Sequence, residues 1–419
     1  MRILHVCHNY FPSKGGPQYT MKHISEKLVS YYGDTVQVAT TNSLYGPESK
    51  LFKKIEPAVE CLGDVEVNRL PYNRWHYPLI KFTGKVYGKL TGRYLPRSIT
   101  RLRDLDSPAI DKMMAETDTD VIMATTIIYN FADYPLWRFK TKNPKPFIMY
   151  GAIHLHKELP ANSPLIERAK ACDCYLANTD FEKYELVRYG VPEHKIATVG
   201  TGIELNDFIV DKEEVNAFRK DNGIRETDVV IGFIGRLVKG KGVAILIDVF
   251  RKMHSGNKNV KLLLAGGTTE YVPEIRRVID EEKLPIILVE NFEDNRKAVL
   301  YHALDIFVLA SQSESFGVVF LEAWACKKPV IGSKMGAIES LLSEGVDSLL
   351  FKPHDADSLE KTLDILVEDA AARDTLGNNG YQKVVDHFTW PKIVAKYRAA
   401  YQLGIKNFEN EFKGTLVKV

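Results

Sequence analysis

Residues 313–332, Ser-Glu-Ser-Phe-Gly-Val-Val-Phe-Leu-Glu-Ala-Trp-Ala-Cys-Lys-Lys-Pro-Val-Ile-Gly, hold the densest set of chemically useful groups in this chain of 419 residues. Glu314 comes just before a Gly-containing helix start, and Glu322 lies inside the helix. At 3.6 residues per turn, the eight positions from 314 to 322 return the second side chain to nearly the same face, about 12 Å further along. The two acids are therefore expected to line one wall. Between them the backbone N–H groups of Phe316, Gly317 and Val318 have no helical carbonyl to bond, and the helix dipole there favours an anion. Phosphate suits those N–H groups, and sugar hydroxyls suit carboxylates, which accept hydrogen bonds from paired donors. The pattern predicts a seat for a sugar nucleotide. Taken alone, each acid also reads as a solvated side chain. Context argues for a site: Asp305-Ile-Phe-Val-Leu-Ala310 before it and Pro329-Val-Ile331 after it read as strands. Glu314 then falls at the carboxyl end of a strand, where open α/β sheets bind their ligands.

Cations occur at a second such place. In Gly235-Arg236-Leu-Val-Lys-Gly-Lys241-Gly242, after a strand and opening a helix, Arg236 and Lys241 can lean over a helix N-terminus and meet a diphosphate. Phe11-Pro-Ser-Lys-Gly15-Gly16-Pro-Gln18 joins the first strand to the first helix, and its glycines allow backbone to approach a ligand. It is not Gly-x-Gly-x-x-Gly, so a nicotinamide fingerprint is absent. His154 follows the strand at 147–150, with His156 as a rival. Asp-x-Asp occurs at Asp104/Asp106, Asp118/Asp120 and Asp355/Asp357, always in charged connectors, and no metal is expected if Arg236 and Lys241 balance the diphosphate.

Residues 68–103 contain no acid, while Lys81, Lys85, Lys89 and Arg93 recur every four positions beside Leu79, Phe82, Val86, Tyr87, Leu90 and Tyr94. This is a basic amphipathic helix, limited by Pro96. It fits either an anionic membrane surface or a core-packed helix with a solvated face.

The elements that must position these groups alternate between strands and helices, the signature of parallel sheets. Strands are expected at 3–7, 36–40, 121–125, 147–150, 175–178 and 195–199. A second series begins at 229–234 and continues at 260–264, 286–289, 306–309 and 330–331, with helices from about 241, 271, 294 and 317. The linker-like Gly200-Thr-Gly-Ile-Glu-Leu-Asn-Asp-Phe208 places the domain boundary near 208, and the last helices, from Trp390-Pro391, are expected to pack back on the first domain. Composition agrees with two soluble domains: 45% hydrophobic, 26% charged, net charge +2. Five scattered cysteines give no zinc spacing and are expected to be reduced. Met1-Arg-Ile-Leu-His-Val6 runs straight into a strand without a signal-peptide pattern, and no apolar run spans a bilayer, so a cytoplasmic location is expected, with peripheral attachment to the inner face of the membrane as a further expectation.

With these residues in place, the chain resembles the GT-B glycosyltransferases of family 4 over nearly its whole length. The resemblance is carried by Glu314-Ser-Phe-Gly317 through Glu322, by Gly235-Arg236 with Lys241-Gly242, and by Gly202-Ile-Glu-Leu-Asn-Asp-Phe208; Gly15-Gly16, His154 and Gly336-Ala-Ile-Glu339 match more loosely. The chain departs from the family at Lys327, where the family usually has Gly, and at Ser315. The resemblance implies two Rossmann-like domains facing each other across a deep cleft. It also implies a retaining, metal-independent transferase moving a hexose from a nucleotide-diphosphate sugar, with the donor held mainly by residues 209–390 and the acceptor by residues 1–208. By that likeness Arg236 and Lys241 hold the diphosphate, Glu322 the ribose, and Glu314 with His154 the transferred sugar, while Gly15, Gly16, Gly235, Phe316, Gly317 and Val318 contribute to the donor seat. The motifs do not separate uridine from guanosine; a UDP-sugar is the expectation over GDP-mannose. No nucleic acid partner is implied. The basic helix favours a lipid-linked or membrane-proximal glycan as acceptor, with Lys81, Lys85, Lys89 and Arg93 as contacts. An epimerase of the same architecture and a non-catalytic sugar-nucleotide or lipid-binding module are the alternatives.

Overall fold

The computed structural model describes residues 1–13, 15–44, 53–72, 77–92, 107–126, 130–153, 159, 163–256 and 259–416, with backbone alone at 77–81 and 412–416. The chain forms two compact units, Met1–Gly200 with Ile393–Val419, and Thr201–Lys392. The division falls at 200 rather than 208 because the intervening residues pack with the second unit. Ile203 bridges to Thr389, and the Phe208 ring meets Tyr301 edge-on at 6.1 Å.

The first unit is built on an eight-stranded sheet. Its order is Ile196–Thr198, Cys174–Ala177, Phe147–Tyr150, Val121–Thr125, Arg2–Cys7, Thr35–Thr41, Val65–Leu70 and Val59–Leu62. All neighbours run parallel except the last pair. The central strands are mostly apolar and buried, as in a parallel sheet covered on both faces. Strand order reverses between Arg2–Cys7 and Val121–Thr125, so the loop with Gly15 and Gly16 leaves this sheet at its switch point. The helix Trp390–Leu416 supplies this unit's last layer: Ile393, Val394, Tyr397 and Tyr401 are buried, and Tyr401 donates or accepts at 3.0 Å from the buried His5 ring. Gly404 sits so close that a Cβ there would lie 2.0 Å from Ile148 Cδ1.

The second unit has six parallel strands in the order Ile286–Glu290, Val260–Gly266, Val229–Ile234, Ile306–Leu309, Val330–Ser333 and Ser348–Phe351. This is the 3-2-1-4-5-6 order of a dinucleotide-binding half repeated to full size. Its switch point lies between Val229–Ile234 and Ile306–Leu309. Chain turns leaving these two strands carry Arg236, Lys241 and Glu314.

The basic segment forms the helix Tyr77–Thr91, followed by Gly92 in the left-handed conformation at φ 65°. The helix therefore stops short of Pro96, and Arg93 and Tyr94 lie outside the described residues. Lys85 and Lys89 are exposed, and so are Phe82 (67%), Val86 (44%) and Leu90 (80%). Among the described residues of the apolar stripe, these three are exposed and Tyr87 is half-buried. Of Lys81, only the backbone is described.

Candidate functional site

The site is assembled by two turns that touch at the switch point. After the strand Val229–Ile234, the chain passes Arg236 and makes a short 3-10 turn, Lys239–Lys241, closed by Gly242 at φ 77° before the helix Val243–Gly256 begins. After Ile306–Leu309, Ser311 and Gln312 bond back to the carbonyl of Gly240, at 3.4 Å and 3.2 Å. A Cβ on Gly242 would lie 2.0 Å from the Ala310 carbonyl oxygen, so the close approach requires glycine. With the turns so fastened, Lys241 Nζ donates to Glu314 Oε1 at 2.5 Å, their side chains 20% and 10% exposed.

Glu314 and Glu322 do not form one helical wall. Gly317, at φ 95°, caps the helix Val318–Ala325, so Glu314 belongs to the loop and the eight-residue helical offset does not apply. Glu322 lies instead just past the first turn of that helix and has partners of its own. Lys297 Nζ donates to its Oε1 at 3.0 Å and the Tyr301 hydroxyl to its Oε2 at 2.8 Å. Burial disfavours the charge on Lys297, but Glu322, then Asp294 and Asp207, outweigh it and hold the ammonium above its ordinary range. Burial first, and then the Glu322 charge, push the Tyr301 hydroxyl well above its ordinary range. Both donors thus keep their protons at neutral pH.

Arg236 is exposed and has no ion-pair partner among the described residues. Gly235 follows the strand directly, and its carbonyl oxygen lies where a Cβ on Gly266 would intrude, at 1.9 Å. Phe316 is buried, its ring edge-on to Phe388 at 5.7 Å, which anchors the turn whose backbone leads to Gly317 and Val318. The first-turn N–H groups at Val318 have no preceding helical carbonyl to bond. In the first unit, Gly16 has open space where a Cβ would stand. His154 and His156 fall outside the described residues, as do Asp104 and Asp106. Just before His154, Gly151 is pressed against Tyr175 and Glu182, and Ala152 is left-handed at φ 48°.

The other Asp-x-Asp pairs have structural employment. Asp118 and Asp120 bond Arg2, Asp355 caps the helix Ala356–Glu368, and Asp357 pairs with Lys252. Lys327 adopts φ 54°, the conformation glycine would take more cheaply, and its N–H still closes the helix on the Trp324 carbonyl at 2.8 Å. A pocket of about 290 Å³ beside the site is lined by Gly242, Ala310, Ser311, Ser333 and His354 among others. It reaches none of Arg236, Lys241, Glu314 and Glu322. The residues that sequence reasoning missed are Lys297 and Tyr301; their i, i+4 spacing puts them on one helical face, but nothing local indicates that the face meets Glu322.

Known proteins share part of this sequence and its fold. Staphylococcus aureus "capsular polysaccharide biosynthesis glycosyltransferase CapM" is 28% identical over 226 residues, 52% of this chain and 58% of that protein. "D-inositol 3-phosphate glycosyltransferase" of Kribbella flavida is 29% identical over 257 residues, 58% of this chain and 59% of that protein. The matched segment thus spans less than two thirds of these curated relatives' length. Among solved structures, sucrose-phosphate synthase from Thermosynechococcus elongatus superposes with a TM-score of 0.71 at 20% identity, covering 96% of this chain and 98% of that one. Anabaena HepE, in complex with UDP and glucose, superposes with a TM-score of 0.67 at 18% identity, covering 95% and 98%. The chain has the two-domain α/β fold of GT-B type, and its residues 214–383 match the family described as glycosyl transferases group 1.

Proposed function

We propose that this chain is a glycosyltransferase that moves a hexosyl group from a nucleoside diphosphate sugar to an acceptor hydroxyl, with retention at the anomeric carbon and without a metal. The observation that carries this reading is the Lys241–Glu314 pair, fastened at the switch point of a sheet with a dinucleotide-binding strand order. The group 1 match over the same domain supports it.

Breaking the anomeric bond leaves negative charge on the departing diphosphate. Lys241 supplies a fixed ammonium beside the place where that charge grows, Arg236 a second, uncommitted cation, and the first turn at Val318 further N–H donors. Because these donors are in position beforehand, little reorganisation is needed as the bond breaks. Glu322 accepts from ribose hydroxyls, and Glu314, with His154, addresses the transferred sugar. The second domain takes the donor and the first the acceptor, with Gly15 and Gly16 allowing close approach at the first sheet's switch point. The HepE structure in complex with UDP and glucose supports a UDP-sugar in preference to GDP-mannose. For the acceptor, the exposed row Phe82, Val86 and Leu90 beside Lys85 and Lys89 supports a lipid-linked or membrane-proximal glycan, the helix lying on an anionic surface.

A thermal-shift screen of nucleotide sugars tests the reading, because a ligand that binds only the folded protein raises its Tm. At least one UDP-hexose is expected to raise Tm and, on longer incubation, to release UDP, and the glycoside formed when an acceptor is supplied is expected to keep the donor's anomeric configuration. No shift with any nucleotide sugar overturns the proposal. An altered sugar still attached to UDP, formed without acceptor, marks an epimerase instead.

A further inference from the structure

Glu322 is held at both oxygens, by two donors from one face of a neighbouring helix. Lys297 and Tyr301 stand four positions apart on the helix Lys297–Ala303, and they reach across to Oε1 at 3.0 Å and Oε2 at 2.8 Å. The helix bearing Glu322 is itself immobilised, with Phe320, Leu321, Ala323 and Trp324 buried. Tyr301 is fully buried, its ring tilted against Phe307 at 5.6 Å and edge-on to Phe208 at 6.1 Å, so its hydroxyl has little freedom to turn elsewhere. Its other acceptor, the Val319 carbonyl, is at 3.4 Å.

We infer that Lys297 and Tyr301 are positioning residues that orient the Glu322 carboxylate for the vicinal diol of a ribose, and so set the preference for ribonucleotide over deoxyribonucleotide donors. The inference rests on the reading of Glu322 as the ribose-binding acid. Each carboxylate oxygen has two acceptor sites, and the two donors use one apiece. One site per oxygen is left, on the two neighbouring oxygens of a side chain that is 13% exposed. A cis-diol presents two O–H donors in the same side-by-side arrangement. A carboxylate free to rotate would lose this match, whereas one pinned at both oxygens keeps it without ordering cost on binding. The three side chains have different duties: Glu322 meets the ligand, and Lys297 and Tyr301 act through it.

The test compares UDP with 2′,3′-dideoxy-UDP, and GDP with 2′,3′-dideoxy-GDP, by calorimetric titration of the full chain. In the wild-type protein the diol is expected to improve affinity at least about tenfold, as hydrogen bonds to a charged acceptor do. Lys297→Met and Tyr301→Phe should each bring that ratio down to about threefold or less, Glu322→Ala should abolish it, and Lys297→Arg should restore most of it. A purely structural role would lower Tm but leave the ratio alone. Lys297 is 31% exposed at its side chain, so its replacement tests the idea even where Tyr301→Phe fails to fold. A wild-type ratio retained in folded Lys297→Met overturns the inference. A wild-type protein that binds the diol and dideoxy forms equally overturns it too, while leaving the nucleotide site standing. Failure to bind any of the four nucleotides removes both this inference and the donor-site reading beneath it.

Discussion

Gly242 shows how little room the Lys241–Glu314 pair leaves for change. It is left-handed, and a side-chain carbon there would collide with the Ala310 carbonyl of the neighbouring strand end. Gly242→Ala should therefore destabilise the second domain by about 2 kcal/mol or more and move Lys241 away from Glu314. Chemical denaturation measures the first effect and UDP titration the second; an unchanged midpoint with unchanged affinity would contradict the claim that the two turns are locked together. Lys241, Glu314 and Gly242 were legible in the sequence, because residue type and position after an apolar run suffice to place them at a strand end. The partners of Glu322 were not. Lys297 lies in a different helix, and only the folded chain brings it within 3.0 Å. The expected single wall of acids failed for a related reason: a glycine at φ 95° interrupts what a helical count treats as continuous.

Among the elements, the helix Tyr77–Thr91 carries the clearest unsatisfied surface. Phe82, Val86 and Leu90 follow at four-residue steps, with Lys85 and Lys89 alongside, and all five are exposed. Replacing the three apolar residues with serine should reduce sedimentation with phosphatidylglycerol vesicles at least about tenfold, since each large side chain buried contributes roughly 1.5–3 kcal/mol. Changing Lys85 and Lys89 to Glu should weaken the same binding in a way that high salt imitates. Equal sedimentation of all three proteins would leave the helix no role at a membrane. Elements made of apolar runs were legible: the strands at the centres of both sheets fall within a residue or two of their expected places. Val59–Leu62 and Val65–Leu70 were overlooked although the alternation of Val59, Cys61, Val65 and Val67 with Glu60, Glu66 and Asn68 is itself a strand signal. Ser348–Phe351 was also overlooked, its three apolar residues standing between Asp347-Ser348 and Lys352-Pro353.

The whole molecule is two units whose chain boundaries do not coincide with a single cut. The first unit needs residues from both ends of the sequence, and the burial of Tyr397, Tyr401 and Gly404 against its strands shows why the final helix belongs there. Spacing alone could suggest that return but could not place it. Among the buried groups of this unit, Glu182 and His5 act on its stability with pH in opposite senses. Burial pushes Glu182 up to about 7, against hydrogen bonds from Asn178, Tyr175 and Ile153, and burial pushes His5 down to about 3. Between the ordinary carboxylate range and 7, folded Glu182 keeps a proton that the unfolded chain has lost, so its contribution to stability falls as pH rises through that window. His5 acts in the opposite sense: the unfolded chain gains a proton below the ordinary histidine range, and stability falls as pH drops. The stability advantage of wild type over Glu182→Gln should accordingly shrink between pH 5 and pH 8, by an amount on the order of 3 kcal/mol. Denaturation midpoints of the two proteins at both pH values check this; a constant gap would show that Glu182 is ionised throughout.

The central claim is that Lys241, clasped by Glu314 at the switch point, absorbs the charge shed by a departing nucleoside diphosphate. Turnover of the UDP-hexose selected by the thermal-shift screen, compared between wild type and Lys241→Met, measures this most directly. Removing one such preorganised donor should lower kcat about 10²–10³-fold while Tm stays near that of the wild type. A folded Lys241→Met protein with wild-type kcat would contradict the account.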